Sequence, residues 1–248
     1  MAKEPRRLRI LFENDFFLII DKPNGLAVQG GEGVKVSLDS ILSQTYSPRP
    51  LLVHRLDKDT SGVILVAKTK EAASTAGALF AGGSREKGSG NAAIIKQYLG
   101  VCSGVPKPRQ GVIKQKLDTL GERKAKSGGE KTMQESLTHY KVLSSHRFDS
   151  LSGAHGVLDV SLLELELGTG RMHQIRRHMA HVGNPLLGDD KYGDFSLNKK
   201  LRAAFKLKNL LLHAFRLVIP PSPPFLPEGL DITAPLPDYF SPFVNSHI

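Results

Sequence analysis

Between Val157 and Val182 the hydrophobic period changes once, and that change restricts the folds open to the chain. Leu163, Leu165 and Leu167 alternate with Glu164 and Glu166, the pattern of a strand with one buried and one wet face. Met172, Ile175, Met179 and Val182 then recur at spacings of 3, 4 and 3, which predicts an amphipathic helix over Arg171–Val182, closed by Gly183 and Asn184-Pro185. A strand feeding directly into a helix excludes all-helical and all-strand architectures. The remaining elements do not alternate strand and helix strictly and show no internal repeat, so the fold class is α+β with a mixed, largely antiparallel sheet.

The other apolar runs are short. Residues 8–22 read as two strands around a turn at Glu13-Asn14-Asp15, and Leu51–Leu56 pairs in pattern with Val63–Ala67. Lys70–Phe80 has helical composition and ends at Gly82-Gly83. Ile94–Cys102, Val112–Leu117 and Leu137–Leu143 read as strands, Ser196 as the cap of a helix carrying Leu197, Leu201, Ala204 and Phe205, and Leu210–Ile219 as a last strand before PPSPP. Residues 82–93 and the basic stretch 104–131 are expected to include exposed loops. One domain over 1–248 is expected.

No apolar run approaches the roughly 18 residues needed to cross a bilayer, and the first residues lack the pattern of a secretory signal, so a cytoplasmic place is expected. Cys102 is the only cysteine, which excludes an internal disulfide and a Cys-based zinc site. The formal charge of +10 favours a polyanionic partner, with solubility alone as the alternative.

Three segments set polar groups against apolar strands. In HRLDKDTSG (54–62), Asp57 leaves the strand as the chain enters the loop; either it is held there for chemistry or it closes an ordinary Asx-type turn, with the Thr60 and Ser61 hydroxyls bonding turn amides and Gly62 free to take positive φ. Tyr98, in an apolar strand beside Lys96 and Gln97, is core or catalytic. In GTGRMHQIRRHMAHVG the third glycine of a dinucleotide fingerprint is replaced by His173, and no phosphate-binding loop occurs elsewhere. His178 and His181 lack the spacing and carboxylate of a metal site, so no metal is expected. Arg171, at the expected helix start, is left to face an anion, either a protein carboxylate or a ligand phosphate, and Arg176 and Arg177 face phosphates or water.

Taken together, HRLDKDTSG, KQYLGV (96–101) and GTGRMHQIRRHMAHVGNPLLGDDKYGD (168–194), with ILFENDFFLIIDKPNGLAVQGG (10–31) and LLHAFRL (211–217), resemble the RluA family of RNA pseudouridine synthases. The resemblance covers about residues 8–236. It implies a pseudouridine synthase fold with flanking helices and a central catalytic cleft, and isomerisation of uridine in RNA without a cofactor. It assigns Asp57 as the catalytic aspartate, Tyr98 as the active-site tyrosine and Arg171 as the arginine paired with the aspartate. Arg55, Lys96, His173, Gln174, Arg176 and Arg177 are then expected to contact RNA. The 25–33 segment and the GDDKYGD ending resemble the branch that modifies large-subunit ribosomal RNA, here without an N-terminal RNA-binding module. A transfer-RNA enzyme of the same family and a non-catalytic RNA-binding assembly factor are the alternatives. RNA is the only partner implied; no membrane or protein partner and no oligomeric state follow.

Overall fold

The computed structural model describes residues 8–82, 93–118, 132–151 and 154–244. The expected loops at 83–92 and 119–131, with the basic cluster Arg123–Lys131, and the N-terminal Arg6 and Arg7 lie outside them. The chain divides into two compact units, Met1–Lys96 with His213–Leu236, and Gln97–Leu212 with Pro237–Ile248.

In the first unit β1 (Arg9–Glu13) and β2 (Phe17–Lys22) form the expected hairpin. Its turn is shaped by Asn14, whose side-chain oxygen accepts the amides of Phe16 and Phe17, the local bonding that makes Asn a turn residue. β2 pairs along its length with β4 (Ser61–Ala67), all seven of whose residues are buried, which is why the run reads as continuously apolar instead of alternating. The far edge of β4 is shared. The short β3 (Leu51–Leu52) pairs antiparallel with Val66 and Ala67, while β9 (Leu212–Ile219) pairs parallel with Ser61 and Gly62 and carries β10 (Leu230–Thr233) outside it. Gly62 has φ +106, and a Cβ there would sit 2.1 Å from the Ala214 carbonyl oxygen, so only glycine lets β9 approach.

α1 (Leu38–Thr45) follows the loop after β2 and is capped by Ser37 and Ser40 reciprocally. α2 (Lys70–Ala81), capped by Thr69, sets Ala72 and Ala76 into a core with Phe17, Ile19, Val63, Leu65, Leu217 and Ile219. Small residues on that helix face let it lie close on the strands.

The second unit carries four antiparallel strands in the spatial order β5 (Ile95–Ser103, which begins in the first unit), β8, β7 and β6, so that the hairpin-connected β6, β7 and β8 are joined by β5 beside β8. β6 spans Gln110–Asp118, β7 Met133–Leu151 and β8 Ala154–Leu167. β7 and β8 run beyond the expected Leu137–Leu143 and Val157–Leu167, and their pairing shifts register twice, at Val142/Ser144 and Phe148/Ser150.

α3 (Gln174–His181) starts three residues later than the periodicity predicts. Met172 lies before it and Val182 after it, 40 % exposed, so only Ile175 and Met179 of the expected stripe are buried within the helix. α4 (Phe195–Phe205) is capped by Asp194, which accepts the Leu197 amide, not by Ser196. A carboxylate at the N-terminus of a helix also meets its positive end. Among the described residues the pairs β1–β2, β2–β4, β3–β4, β9–β10, β5–β8, β6–β7 and β7–β8 are antiparallel and β4–β9 is parallel, a mixed, largely antiparallel sheet as expected for this α+β chain.

Candidate active site

Asp57 opens a four-residue turn in which the Thr60 amide donates to the Asp57 carbonyl, 3.2 Å. Three groups, one from the last residue of β2 and two from the turn after it, hold this loop in place. The Gly25 amide and the Lys22 ammonium both donate to the Lys58 carbonyl, at 2.9 and 3.1 Å, and the Asn24 side chain donates to the carbonyl of Asp59. Lys22 is fully buried and also reaches the carbonyls of Leu26 and Pro23, at 2.8 and 3.1 Å. Three carbonyls thus meet its three donors. Burial pulls its pKa down to about 8 against the opposing fields of Asp59, Asp57 and Asp21, so an ammonium and the Asp57 carboxylate share one electrostatic environment. Sequence reasoning missed Lys22; its position at the end of an otherwise apolar strand was the available signal.

His54 fixes the other end of the loop. On the shared edge of β4, between the residues taken by β9 and those taken by β3, the Leu65 amide has no strand to bond, and it donates to His54 Nε2 at 2.8 Å. The imidazole replaces a strand carbonyl, and must be neutral to accept. Burial, then the charge of Lys96, lower its pKa to about 3. Its ring lies 4.4 Å from that of Phe80, over which the Lys96 ammonium sits at 5.6 Å. Ser61 bonds His213 Nδ1 at 2.9 Å, whereas the Thr60 hydroxyl is buried with no hydrogen-bond partner among the described residues, so the expected pair of hydroxyl-to-amide bonds does not form. Asp57 is half-buried and Arg55 exposed.

In the second unit Tyr98 lies on β5 opposite Leu165 and is 7 % exposed. Arg171 lies not on the helix but in the turn before it, because Gln174 folds back over that turn: its Oε1 accepts the Arg171 amide at 3.0 Å and the Thr169 hydroxyl at 2.7 Å. The Arg171 Nε is buried with no hydrogen-bond partner among the described residues, an arrangement costing about 1–3 kcal/mol unless an acceptor arrives. His173 takes the left-handed conformation, φ 52, at a cost of roughly 1–2 kcal/mol, with its Nδ1 at 3.1 Å from the Tyr192 hydroxyl.

Two of the expected RNA contacts are corrected. Arg176 is 3 % exposed and its guanidinium makes a two-bond pair with Asp189, 2.8 and 2.6 Å, as befits a charge that only a partner can keep buried. Gln174 is also buried, and its amide donates to the Leu137 carbonyl at 2.8 Å and the Thr138 hydroxyl at 3.0 Å. Both hold α3 to β7. Arg177 is partly exposed and pairs with Asp118 at 3.0 Å, while Lys96 and His173 are half-buried.

The donors under α3 form one consistent chain. Gln174 donates to Thr138, Thr138 to His178 Nδ1 (2.9 Å), His178 Nε2 to Ser136 (2.8 Å), and Ser136 to the Gln115 carbonyl. That chain needs a neutral imidazole. Burial, then His181 and Arg177, lower the His178 pKa to about 4, and burial likewise lowers His213 to about 4. In unfolded chain a His titrates near 6.5, so between about 6.5 and 4 the unfolded state binds more protons and stability falls as pH falls. Folding stability from urea midpoints is expected to drop by up to about 1.4 kcal/mol per pH unit for each of His54, His178 and His213 in that window. His178→Gln should flatten the slope by one proton; an unchanged slope would contradict the assignment.

A model of the family described as RNA pseudouridylate synthase matches residues 16–181, which contain Asp57, Tyr98 and Arg171. The mitochondrial RNA pseudouridine synthase 4 of Arabidopsis thaliana is 36 % identical over 206 residues, 74 % of this chain and 40 % of that longer protein. The tRNA pseudouridine synthase C of Vibrio parahaemolyticus is 32 % identical over 94 % of this chain and 92 % of its own. The ribosomal large subunit pseudouridine synthase C of Buchnera aphidicola is 31 % identical over 96 % of this chain and 70 % of its own. Among solved structures, human RNA pseudouridylate synthase domain containing 1 superposes with a TM-score of 0.69 at 25 % identity, covering 95 % of this chain and 86 % of that one. A family match across two thirds of the chain and relatives aligned along nearly all of it lead to one conclusion: the chain belongs to the RNA pseudouridylate synthase family, enzymes that isomerise uridine within RNA.

Proposed function

We propose that the substrate is large-subunit ribosomal RNA, and that Asp57, Tyr98 and Arg171 carry the reaction, the two units acting as one catalytic domain. The observation that supports this most is the occurrence of all three residues, in motif order, inside the family match, with Asp57 braced by Lys22, Asn24 and Gly25. The isomerisation breaks the N1–C1′ bond, turns the uracil and joins C5 to C1′. Asp57 serves as nucleophile, at C6 or C1′, or as the base removing a ribose proton. Arg171 supplies the opposite charge that keeps a carboxylate ionised, and its orphaned Nε supports a role in meeting an anion. Tyr98 offers a ring against which an unstacked base can lie and a hydroxyl for the proton at C5. Arg55, Lys96, His173 and Arg177 hold flanking backbone. Activity in the cytoplasm fits such a substrate; no described helix is long and apolar enough to cross a membrane.

A specific observation favours a second reading: the relative named for transfer RNA aligns over more of its own length than the one named for ribosomal RNA. Pseudouridine mapping in both RNAs, from cells with and without the gene, decides between them. Sites lost from large-subunit RNA and regained on complementation are expected; loss confined to transfer RNA would establish the second reading.

A further inference from the structure

We propose that Tyr192 is a positioning residue for Arg171, acting through the left-handed turn at His173. This rests on the reading of Arg171 as part of the catalytic machinery. His173 is where the chain passes from the motif loop into α3: its carbonyl accepts the first helical bond, from the Arg177 amide at 2.9 Å, while its own side chain makes no cap bond. An N-cap residue ordinarily turns its side chain back onto the helix amides. Here the imidazole instead meets the Tyr192 hydroxyl, and the two rings pack edge to face at 5.6 Å.

Tyr192 is itself anchored. Its amide donates to Asp189 Oδ1 at 2.9 Å, its ring lies 5.4 Å from the Arg176 guanidinium that Asp189 binds, and the Lys191 ammonium lies 5.5 Å from the ring. Asn198 in turn ties this corner to α4, donating to the Asp189 carbonyl at 2.8 Å and accepting the Gly188 amide at 2.9 Å. The hydroxyl therefore stands on a mount that does not depend on the motif loop. From the other side Gln174 fixes the Arg171 amide, so the turn 171–174 is held at both ends, by Gln174 and by Tyr192. Of the described residues only His173 and Lys206 are non-glycine with positive φ, and the former sits two residues from Arg171. A strained hinge there moves the guanidinium if its brace is removed.

The test is tritium release from RNA labelled at uracil C5, under single-turnover conditions, with Tyr192→Phe, Arg171→Lys and the double variant. Tyr192→Phe keeps the ring and removes only the hydroxyl. Its maximal rate is expected to fall about tenfold to a hundredfold, the scale of a small misplacement of a catalytic group, with half-saturation unchanged. Its melting midpoint should fall by no more than about 4 °C. In the Arg171→Lys background the same change should alter the rate less than about twofold, since the group it positions is already altered. Multiplicative losses in the double variant, or a rise in half-saturation at constant rate, would overturn the positioning role while leaving Arg171 in place. A wild-type rate for Arg171→Lys alone would remove the reading beneath it as well. His173→Asn, which tolerates the left-handed backbone, should retain more activity than His173→Val; the reverse order would also overturn it.

Discussion

Asp57→Asn is expected to abolish tritium release, by at least about a thousandfold, while RNA affinity changes less than about twofold. The substitution keeps the shape and the turn, because the bond that closes it runs from the Thr60 amide to the Asp57 carbonyl and not to the side chain. The braces on the loop also bypass the carboxylate: Lys22 and Gly25 bond the Lys58 carbonyl, Asn24 that of Asp59, and His54 the Leu65 amide. The substitution removes one charge and one nucleophilic or basic oxygen. Affinity should persist because phosphate contacts, not the carboxylate, hold the RNA, and removing an acid from a site that faces a polyanion does not weaken them. Paired assays of release and of filter binding at fixed salt separate the two. Near-native release by Asp57→Asn would remove Asp57 from the chemistry.

The hairpin of β1 and β2, the β4 run, the helix after Thr69 and the α+β class are legible in the sequence, because each depends on local period and on turn residues such as Asn14, whereas of the expected strand Leu51–Leu56 only Leu51–Leu52 forms. What was not legible depends on partners distant in sequence. Lys22 closes an apolar run, and it is buried because the carbonyl of Lys58, 36 residues on, completes its shell. Arg176 reads as a free cation because nothing in the helix predicts Asp189 beneath it. The start of α3 was misplaced for a related reason: Gln174 competes for the backbone with its side chain, and the periodic Met172 is left in the turn. The motif residues themselves were legible only as a set. Tyr98, buried in β5, carries no local sign of chemistry, and only its neighbours in motif order give it one.

Asp189→Asn is expected to destabilise the protein by about 3 kcal/mol, the low end of the cost of breaking a buried pair, because the exposed Asp190 stays 3.4 Å from the Arg176 guanidinium. The pair is 3 % and 1 % exposed, so water cannot replace the lost charge at Arg176. Burial alone would raise the Asp189 pKa, but the Arg176 guanidinium and the amides of Tyr192 and Lys191 outweigh it, and the carboxyl ends below its ordinary value. Asn keeps an oxygen for those two amides and removes only the charge and one guanidinium acceptor, which makes it a cleaner probe than Ala. A depressed carboxyl pKa contributes stability above the unfolded value near 3.8 that is lost as pH falls through the folded one, the same sense as the three buried histidines. The wild-type advantage over Asp189→Asn in urea midpoints should therefore be full at pH 7 and shrink below about pH 4, where the carboxylate of the native protein becomes protonated too. Arg176→Met tests the other side, leaving Asp189 buried and anionic at pH 7, and should cost a similar amount. Losses under about 1 kcal/mol in both variants would mean that the pair is solvated in solution and does not fix α3 to the segment around Asp189.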